Sequence, residues 1–136
     1  MHDLIRSVVV APMAGGPSTP ALVIAAGVQA GTVFLLADEA GTRPAQRAAM
    51  IGSGPRETVV TRAFTGQPAR ALRNRFTDEY SEAAPIGYPA VHHLTAPIRA
   101  AAAEQGDAGA LNLWAGTGWT AARSAPVAAL LDTLQT

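Results

Sequence analysis

The sequence contains no cysteine and little charge, and each absence removes a class of function. Of its 136 residues 15% are charged, and ten basic residues balance ten acidic ones. Without cysteine there is no disulfide framework, thiolate metal site or cysteine nucleophile, and we expect a cytoplasmic protein. Because the formal net charge is zero, the sequence does not predict the positive surface of a nucleic-acid-binding protein, and no nucleic-acid partner is expected. The 49% hydrophobic content predicts one folded domain.

Charge is missing altogether from residue 7 to residue 37. A membrane-spanning helix needs about 20 mostly apolar residues, so a membrane segment is one interpretation of this stretch. Seven residues that interrupt helices divide it into short pieces: Pro12, Gly15, Gly16, Pro17, Pro20, Gly27 and Gly31. The pattern therefore favours a buried strand, helix and strand over a membrane segment.

Three continuous apolar or β-branched runs predict buried strands of the kind found in parallel sheets. They span residues 4–11, 31–37 and 57–64. Capping residues and early prolines predict helices over residues 19–26, 42–51, 65–82 and 95–103, and a final helix that begins at residues 124–126. The final helix has apolar residues at the spacing of one buried face: Val127, Leu130, Leu131 and Leu134.

Two loops are candidates for ligand binding. Residues 8–20 read as a strand, an open glycine turn and a capped helix, which is the form of a βα loop facing a ligand. Residues 29–32, Gln-Ala-Gly-Thr, offer an amide, a glycine that permits close backbone approach, and a hydroxyl. Backbone N–H groups with a threonine hydroxyl can hold a phosphate, although a bare Gly-Thr is also a common strand entry.

The histidines and tryptophans favour structural roles. His92 and His93 are adjacent, and adjacent residues on a helix do not share a face, so a structural or surface pair is favoured over a metal site. Trp114 and Trp119 are more typical of core or lid packing than of substrate stacking. No set of nucleophile, base and acid stands out from the spacing, so no catalytic residue is assigned.

Three arginines follow Pro68 and precede acidic residues. Arg75 and Glu79 stand four positions apart, which favours a solvated, self-paired helix surface. The alternative places one of Arg70, Arg73 and Arg75 over an anionic ligand.

Several segments resemble nitronate monooxygenases, formerly called 2-nitropropane dioxygenases, which are FMN-dependent (β/α)8-barrel oxidoreductases. Ala-Pro-Met-Ala-Gly-Gly-Pro-Ser-Thr-Pro at residues 11–20 resembles the opening of these proteins. Gln-Ala-Gly-Thr-Val-Phe-Leu at residues 29–35 resembles their phosphate motif, which lies late in the barrel. Residues 61–70, 73–76 and 112–116 resemble their carboxyl-terminal helical region.

The resemblance implies an FMN cofactor, and a nitronate or nitroalkane that reacts with O2 as substrate. It places Pro12, Met13 and Ala14 beside the flavin ring. It places Gly31 and Thr32 at the phosphate, with Gln29 nearby. The flavin would perform the redox chemistry, and the protein would supply orientation and electrostatics.

The two family motifs are separated here only by residues 21–28, whereas in the family they lie at opposite ends of the barrel sequence. A complete barrel takes about 250 residues. We therefore predict an α/β fold, an incomplete (β/α)8 TIM-barrel-type fragment with about three parallel strands and an α-helical carboxyl-terminal part. The single truncated domain would hold barrel strands and helices in residues 1–64 and a helical tail in residues 65–136, with the junction between Leu22 and Gly27.

Two functions stay open at this point. The first is an FMN-dependent oxidoreductase that oxidises alkyl nitronates with O2, with activity weak or lost because the family's catalytic histidine belongs to the missing middle. His92 and His93 lie in the tail and do not inherit that role. The second is a non-catalytic, internally deleted remnant that associates with itself, because open sheet edges and apolar faces invite pairing with another chain.

Overall fold

The computed structural model describes residues 31–52 and 57–133. The predicted strand at 4–11, the predicted helix at 19–26 and four predicted site residues lie outside them: Pro12, Met13, Ala14 and Gln29. The described helices are α1 (Pro44–Gly52), α2 (Arg75–Tyr80), α3 (Ala90–Glu104) and α4 (Val127–Asp132). The strands are β1 (Thr58–Thr61) and β2 (Ala69–Leu72), and three short 3₁₀ helices span Thr32–Leu36, Ala108–Ala110 and Trp119–Ala121.

The two strands form an antiparallel hairpin with Thr58 opposite Leu72 and Thr61 opposite Ala69. The predicted strand at 57–64 is confirmed in its β-branched part, which suits a pleated surface. Trp114 extends the ladder on the far side of β2 through a single bridge to Ala71. The described residues are thus α/β, but their two strands are antiparallel, and the predicted parallel arrangement is wrong for this part of the chain.

Two sequence predictions for individual elements are also wrong. Residues 31–37 do not form a strand: the Phe34 N–H donates to the Gly31 carbonyl, which winds Thr32–Leu36 into a 3₁₀ helix. A short apolar run does not distinguish a strand from a buried helical turn. Residues 65–82 do not form one helix either, because β2 occupies the first part and α2 begins only after Asn74.

Helix α3 also differs from the prediction of a helix capped by Thr95. It begins at Ala90, so Thr95 lies in the second turn and Pro97 lies inside the helix. The Thr95 hydroxyl is buried and donates to the Phe64 carbonyl at 2.6 Å, so it ties α3 to the loop after β1. By contrast, α1 occupies the predicted range at 42–51 almost residue for residue.

The core is centred on Phe64, which is fully buried. Its ring stacks on Phe76 at 4.7 Å between centroids and meets Trp114 edge-on at 5.6 Å, both favourable geometries for aromatic pairs. Trp119 is buried in the same cluster, so the predicted packing role of both tryptophans is confirmed. Of the predicted apolar stripe of α4, Leu130 is fully buried, Val127 is partly buried and Leu131 is exposed, while Leu134 lies outside the described residues.

Within the described ranges, no helix combines the length and apolar character that a membrane crossing requires.

Candidate functional site

The predicted phosphate residues Gly31 and Thr32 lie at the start of the first 3₁₀ helix. Chain neighbours apart, no described atom lies within 4 Å of the position that a Cβ on Gly31 would occupy, so none of the described residues blocks the approach of a ligand to this backbone. The Thr32 hydroxyl oxygen accepts a 2.9 Å hydrogen bond from the N–H of Gly116, 84 positions along the chain. This bond brings together residues 31–35 and 112–116, which belong to two of the segments singled out in the sequence.

Residues 112–116 are held against the hairpin and α1. The Leu72 N–H donates to the Leu113 carbonyl at 2.8 Å, and the Ala115 N–H donates to the Arg70 carbonyl at 3.2 Å. From α1, the Gln46 side-chain amide donates to the carbonyl of Trp114 at 3.3 Å. The Gly116 N–H is therefore presented to Thr32 from a backbone segment that is fixed on two sides.

Helix α1 also fixes the 3₁₀ helix at its other end. The guanidinium of Arg47 donates to the Ala37 carbonyl at 3.1 Å and to the Ser124 hydroxyl at 2.7 Å. The Glu39 carboxylate accepts from the Val127 N–H at 3.0 Å, at the first residue of α4. The first 3₁₀ helix is thus held between α1 and the chain that leads into α4.

An open cleft of about 270 Å³ lies on the α4 side of the first 3₁₀ helix. Its lining is apolar except for Glu39: Phe34, Ala37, Ala40 and Val127 complete it. A carboxylate repels a phosphate, so this cleft does not suit the phosphate of a nucleotide cofactor.

Gly31 and Thr32 do suit the phosphate of FMN. A threonine hydroxyl has one donor and two acceptor positions, so after accepting from Gly116 it keeps its own O–H for a phosphate oxygen. The open backbone at Gly31 leaves room for that oxygen. The fit concerns the phosphate end alone, since Pro12, Met13, Ala14 and Gln29 lie outside the described residues.

The arginines of the β2–α2 region form ion pairs on the surface. Arg75 Nη2 lies 2.7 Å from Asp107 Oδ2, so the expected pairing with Glu79 is replaced by a partner from the loop after α3. Arg75, together with the N–H of Gly109, holds the pKa of the Asp107 carboxyl below its ordinary value. Arg73 contacts Asp78 at 2.7 Å. Arg70 lies on β2 and donates to the Thr58 hydroxyl at 3.0 Å. The three arginines are exposed as predicted, but of the three only Arg75 lies on a helix, and the predicted Arg75–Glu79 pair is not the one that forms.

His92 lies beside Arg99, a residue that the sequence reasoning did not single out. The guanidinium of Arg99 donates to the His92 carbonyl at 2.8 Å and contacts its Nδ1 at 3.2 Å. Arg99 is only 7% exposed, and this burial lowers its pKa, as does the positive charge of Arg43. No cluster of three or more metal-ligating side chains occurs among residues 31–52 and 57–133.

Asn74 is the other structural residue that the sequence reasoning missed. Its side chain accepts from the Thr77 N–H and donates to the carbonyls of Ala108 and Leu111 at 2.9 and 2.8 Å. The sequence signal was present, because Asn74 and Thr77 stand at the spacing of a capping box. Asn74 thus joins α2 to the chain that leads into residues 112–116.

Taken together, the described residues form part of an α/β protein in which Gly31 and Thr32 begin a 3₁₀ helix that is bonded to the carboxyl-terminal segment. The family model described as nitronate monooxygenase matches residues 24–136. The chain therefore belongs to the nitronate monooxygenase family, whose fold is the TIM barrel. The family suggests an oxidoreductase and supports the resemblance found in the sequence.

Individual relatives agree with this assignment. Probable nitronate monooxygenases of Staphylococcus aureus strains Newman and JH9 are 42% and 43% identical over 94 residues, which is 68% of this chain and 26% of each relative. The solved nitroalkane oxidase from Streptomyces ansochromogenes is 48% identical with a TM-score of 0.75, over 79% of this chain and 31% of that protein. The chain spans about a quarter of the length of these curated relatives.

Proposed function

We propose that this chain carries the phosphate end of an FMN site in an oxidoreductase of the nitronate monooxygenase type, which oxidises alkyl nitronates with O2. The observation that carries the proposal is the 2.9 Å hydrogen bond from the Gly116 N–H to the Thr32 hydroxyl oxygen. This bond orders the glycine and threonine of the phosphate motif against the carboxyl-terminal segment.

The residues of the chain would bind and orient the cofactor. Gly31 and Thr32 would hold the FMN phosphate with Gln29 nearby, and Pro12, Met13 and Ala14 would contact the flavin ring, as the family resemblance implies. When bound, FMN would take electrons from the substrate and pass them to O2.

We assign no general base to the reaction. His92 is engaged by the guanidinium of Arg99, and His93 belongs to the same carboxyl-terminal helix. A nitroalkane must lose a proton before oxidation, whereas a nitronate has already lost it. We therefore propose the nitronate as the substrate form.

The visible spectrum of the purified chain tests this proposal. After incubation with FMN and removal of free flavin, we expect a retained oxidised-flavin spectrum, and slow O2 consumption on addition of an alkyl nitronate. Thr32→Val should lose bound FMN, because the hydroxyl donor is gone. Thr120→Val, at an exposed position, is the matched control and should retain it. A wild-type chain that stays colourless after incubation with FMN contradicts the proposal.

A second candidate function, a non-catalytic remnant that associates with itself, is favoured by the outward face of α3. Helix α3 turns its one arginine, Arg99, into the protein and exposes an apolar stripe. Leu94 is 75% exposed and Ile98 46% exposed, and the stripe is completed by Ala90, Pro97 and Ala101. A surface helix usually turns its charged residues to water, and α3 does so at Glu104 but not at Arg99.

The occupant that we propose for this face is a second copy of the chain. The stripe carries no charge, so its partner surface must also be uncharged, and the same stripe on a second copy meets that requirement in a twofold interface. The net charge of zero adds no long-range repulsion between copies.

Light scattering coupled to size-exclusion chromatography tests the association. We expect the wild-type chain to elute with twice the chain mass at micromolar concentration. Leu94→Glu should elute as a monomer, because two carboxylates would be buried against apolar surface. Ala128→Glu places the same charge at an exposed position on α4 and should remain a dimer. A monomeric wild-type chain overturns this candidate.

A further inference from the structure

The Thr32 hydroxyl has its acceptor side occupied by a backbone group. The Gly116 N–H donates to the hydroxyl oxygen at 2.9 Å, so one of its lone pairs is engaged. Because the donor approaches the oxygen, the hydroxyl proton must rotate away from Gly116 to avoid the N–H hydrogen. That proton is then directed to another acceptor.

Gly116 is held in place on both sides. The preceding residue, Ala115, is buried and its N–H is bonded to the Arg70 carbonyl at 3.2 Å. The Gly116 carbonyl accepts from the N–H of Trp119 at 3.2 Å, and Trp119 is itself buried in the core. A donor fixed in this way imposes one orientation on a mobile hydroxyl.

Space is not the reason for a glycine at this position. A Cβ on residue 116 would lie 3.4 Å from the Thr32 hydroxyl oxygen, which is ordinary contact, with no closer neighbour among the described residues. An alanine at position 116 would fit and would keep the backbone N–H that bonds to Thr32.

We infer that Gly116 is a positioning residue: its N–H commits the Thr32 hydroxyl to donate to a phosphate oxygen of the bound flavin nucleotide. The inference rests on the proposed function and deepens it, because it makes the site selective for the phosphorylated flavin through a residue that need not touch the ligand. A group held as donor suits a phosphate, whose oxygens only accept. Riboflavin, which lacks the phosphate, would gain nothing from it.

The test compares the dissociation constants of FMN and riboflavin, measured by quenching of flavin fluorescence. Thr32→Val and Gly116→Pro each remove one partner of the bond, so we expect FMN affinity to fall by roughly tenfold while riboflavin affinity changes by less than about twofold. Thr32→Ser keeps the hydroxyl and Gly116→Ala keeps the N–H, so both should stay within about twofold of wild type for both flavins.

The double variant Thr32→Val with Gly116→Pro separates positioning from a merely structural effect. If Gly116 acts through Thr32, the double variant should bind FMN no more weakly than Thr32→Val alone. Equal losses for FMN and riboflavin, or additive losses in the double variant, overturn the inference. A wild-type chain that binds neither flavin is a different result, because it overturns the proposed function as well.

Hydrogen exchange at the Gly116 amide decides the matter if Gly116→Pro does not fold. We expect exchange at this amide to accelerate by about tenfold in Thr32→Val and not in Thr32→Ser, and to slow in the wild-type chain on saturation with FMN. If the exchange rate of the Gly116 amide changes neither in Thr32→Val nor on addition of FMN, the inference is overturned.

Discussion

Replacing Asn74 with alanine removes three hydrogen bonds from a side chain that is only 7% exposed. One is the cap on α2, where the Asn74 oxygen accepts from the Thr77 N–H. The other two leave the carbonyls of Ala108 and Leu111 without this donor, and the bond to Leu111 is buried. The Leu111 carbonyl keeps its bond from the Leu113 N–H at 3.0 Å, so the variant combines a lost helix cap with two weakened backbone acceptors.

The free energy of unfolding should fall by about 3 kcal/mol in Asn74→Ala. Loss of an N-cap costs about 1 kcal/mol, and each of the two lost hydrogen bonds to a backbone carbonyl adds about 1 kcal/mol. For a chain of this length the melting temperature should drop by roughly 10 °C. Asn74→Asp keeps the cap acceptor but turns an oxygen towards the two carbonyls, so it should be at least as unstable.

Urea unfolding followed by circular dichroism measures the change. The matched control is Asn112→Ala. Within the described ranges the Asn112 side chain has one hydrogen bond, a long and exposed one from Arg43 at 3.4 Å, and its loss should cost under about 0.5 kcal/mol. A loss below about 1 kcal/mol in Asn74→Ala would refute the reasoning, as would wild-type stability in Asn74→Asp.

Two further predictions concern backbone strain and pH. Gly66 and Gly106 both have positive φ, but of the two only a Cβ on Gly66 would lie 2.7 Å from another backbone atom. In urea unfolding, Gly66→Ala should therefore destabilise the chain by at least about 1 kcal/mol more than Gly106→Ala. Equal losses in the two variants would contradict this. The pKa of Asp107 is lower in the folded chain than its unfolded value of about 3.9, so the ionised carboxylate stabilises the fold at pH values above 3.9. This stabilisation is lost as the pH falls through the folded-state pKa. Between pH 6 and pH 3 the midpoint of urea unfolding should therefore fall less in Asp107→Asn than in wild type. The control, Asp132→Asn, should fall like wild type. The same dependence of the midpoint on pH in all three proteins would count against the Arg75–Asp107 pair.

The sequence predicted elements whose signals are local. Helix α1 has a proline at its start and a glycine at its end, and it occupies most of the predicted range. The β-branched run at residues 58–61 is a strand as predicted. The family was identified from short motifs, and the match over residues 24–136 confirms it.

Elements that depend on distant partners were not predictable in this way. The apolar run after Gly31 suits a strand, but its backbone closes into a 3₁₀ helix that is held by Arg47 from α1. Residues 69–72 contain good helix formers, yet they pair with β1 because Ala71 and Leu72 are fully buried there. Packing outweighed intrinsic helix propensity at these positions.

For the candidate site, the sequence identified Gly31 and Thr32 but could not show what orients them. Gly116 lies 84 positions from Thr32, and no periodic pattern links the two. The burial of the Arg99 side chain was not predictable for a similar reason. Its acceptor, the His92 carbonyl, is a backbone group, and sequence patterns do not reveal such a partner.

The ³¹P resonance of FMN, observed during titration with the purified chain, tests the central claim most directly because it reports the phosphate itself. If Thr32 donates to a phosphate oxygen, the resonance should shift and broaden saturably with wild-type chain, and the amide signals of Thr32 and Gly116 should move with the same midpoint. A phosphate resonance that keeps its position and line width in the presence of excess wild-type chain would contradict the account.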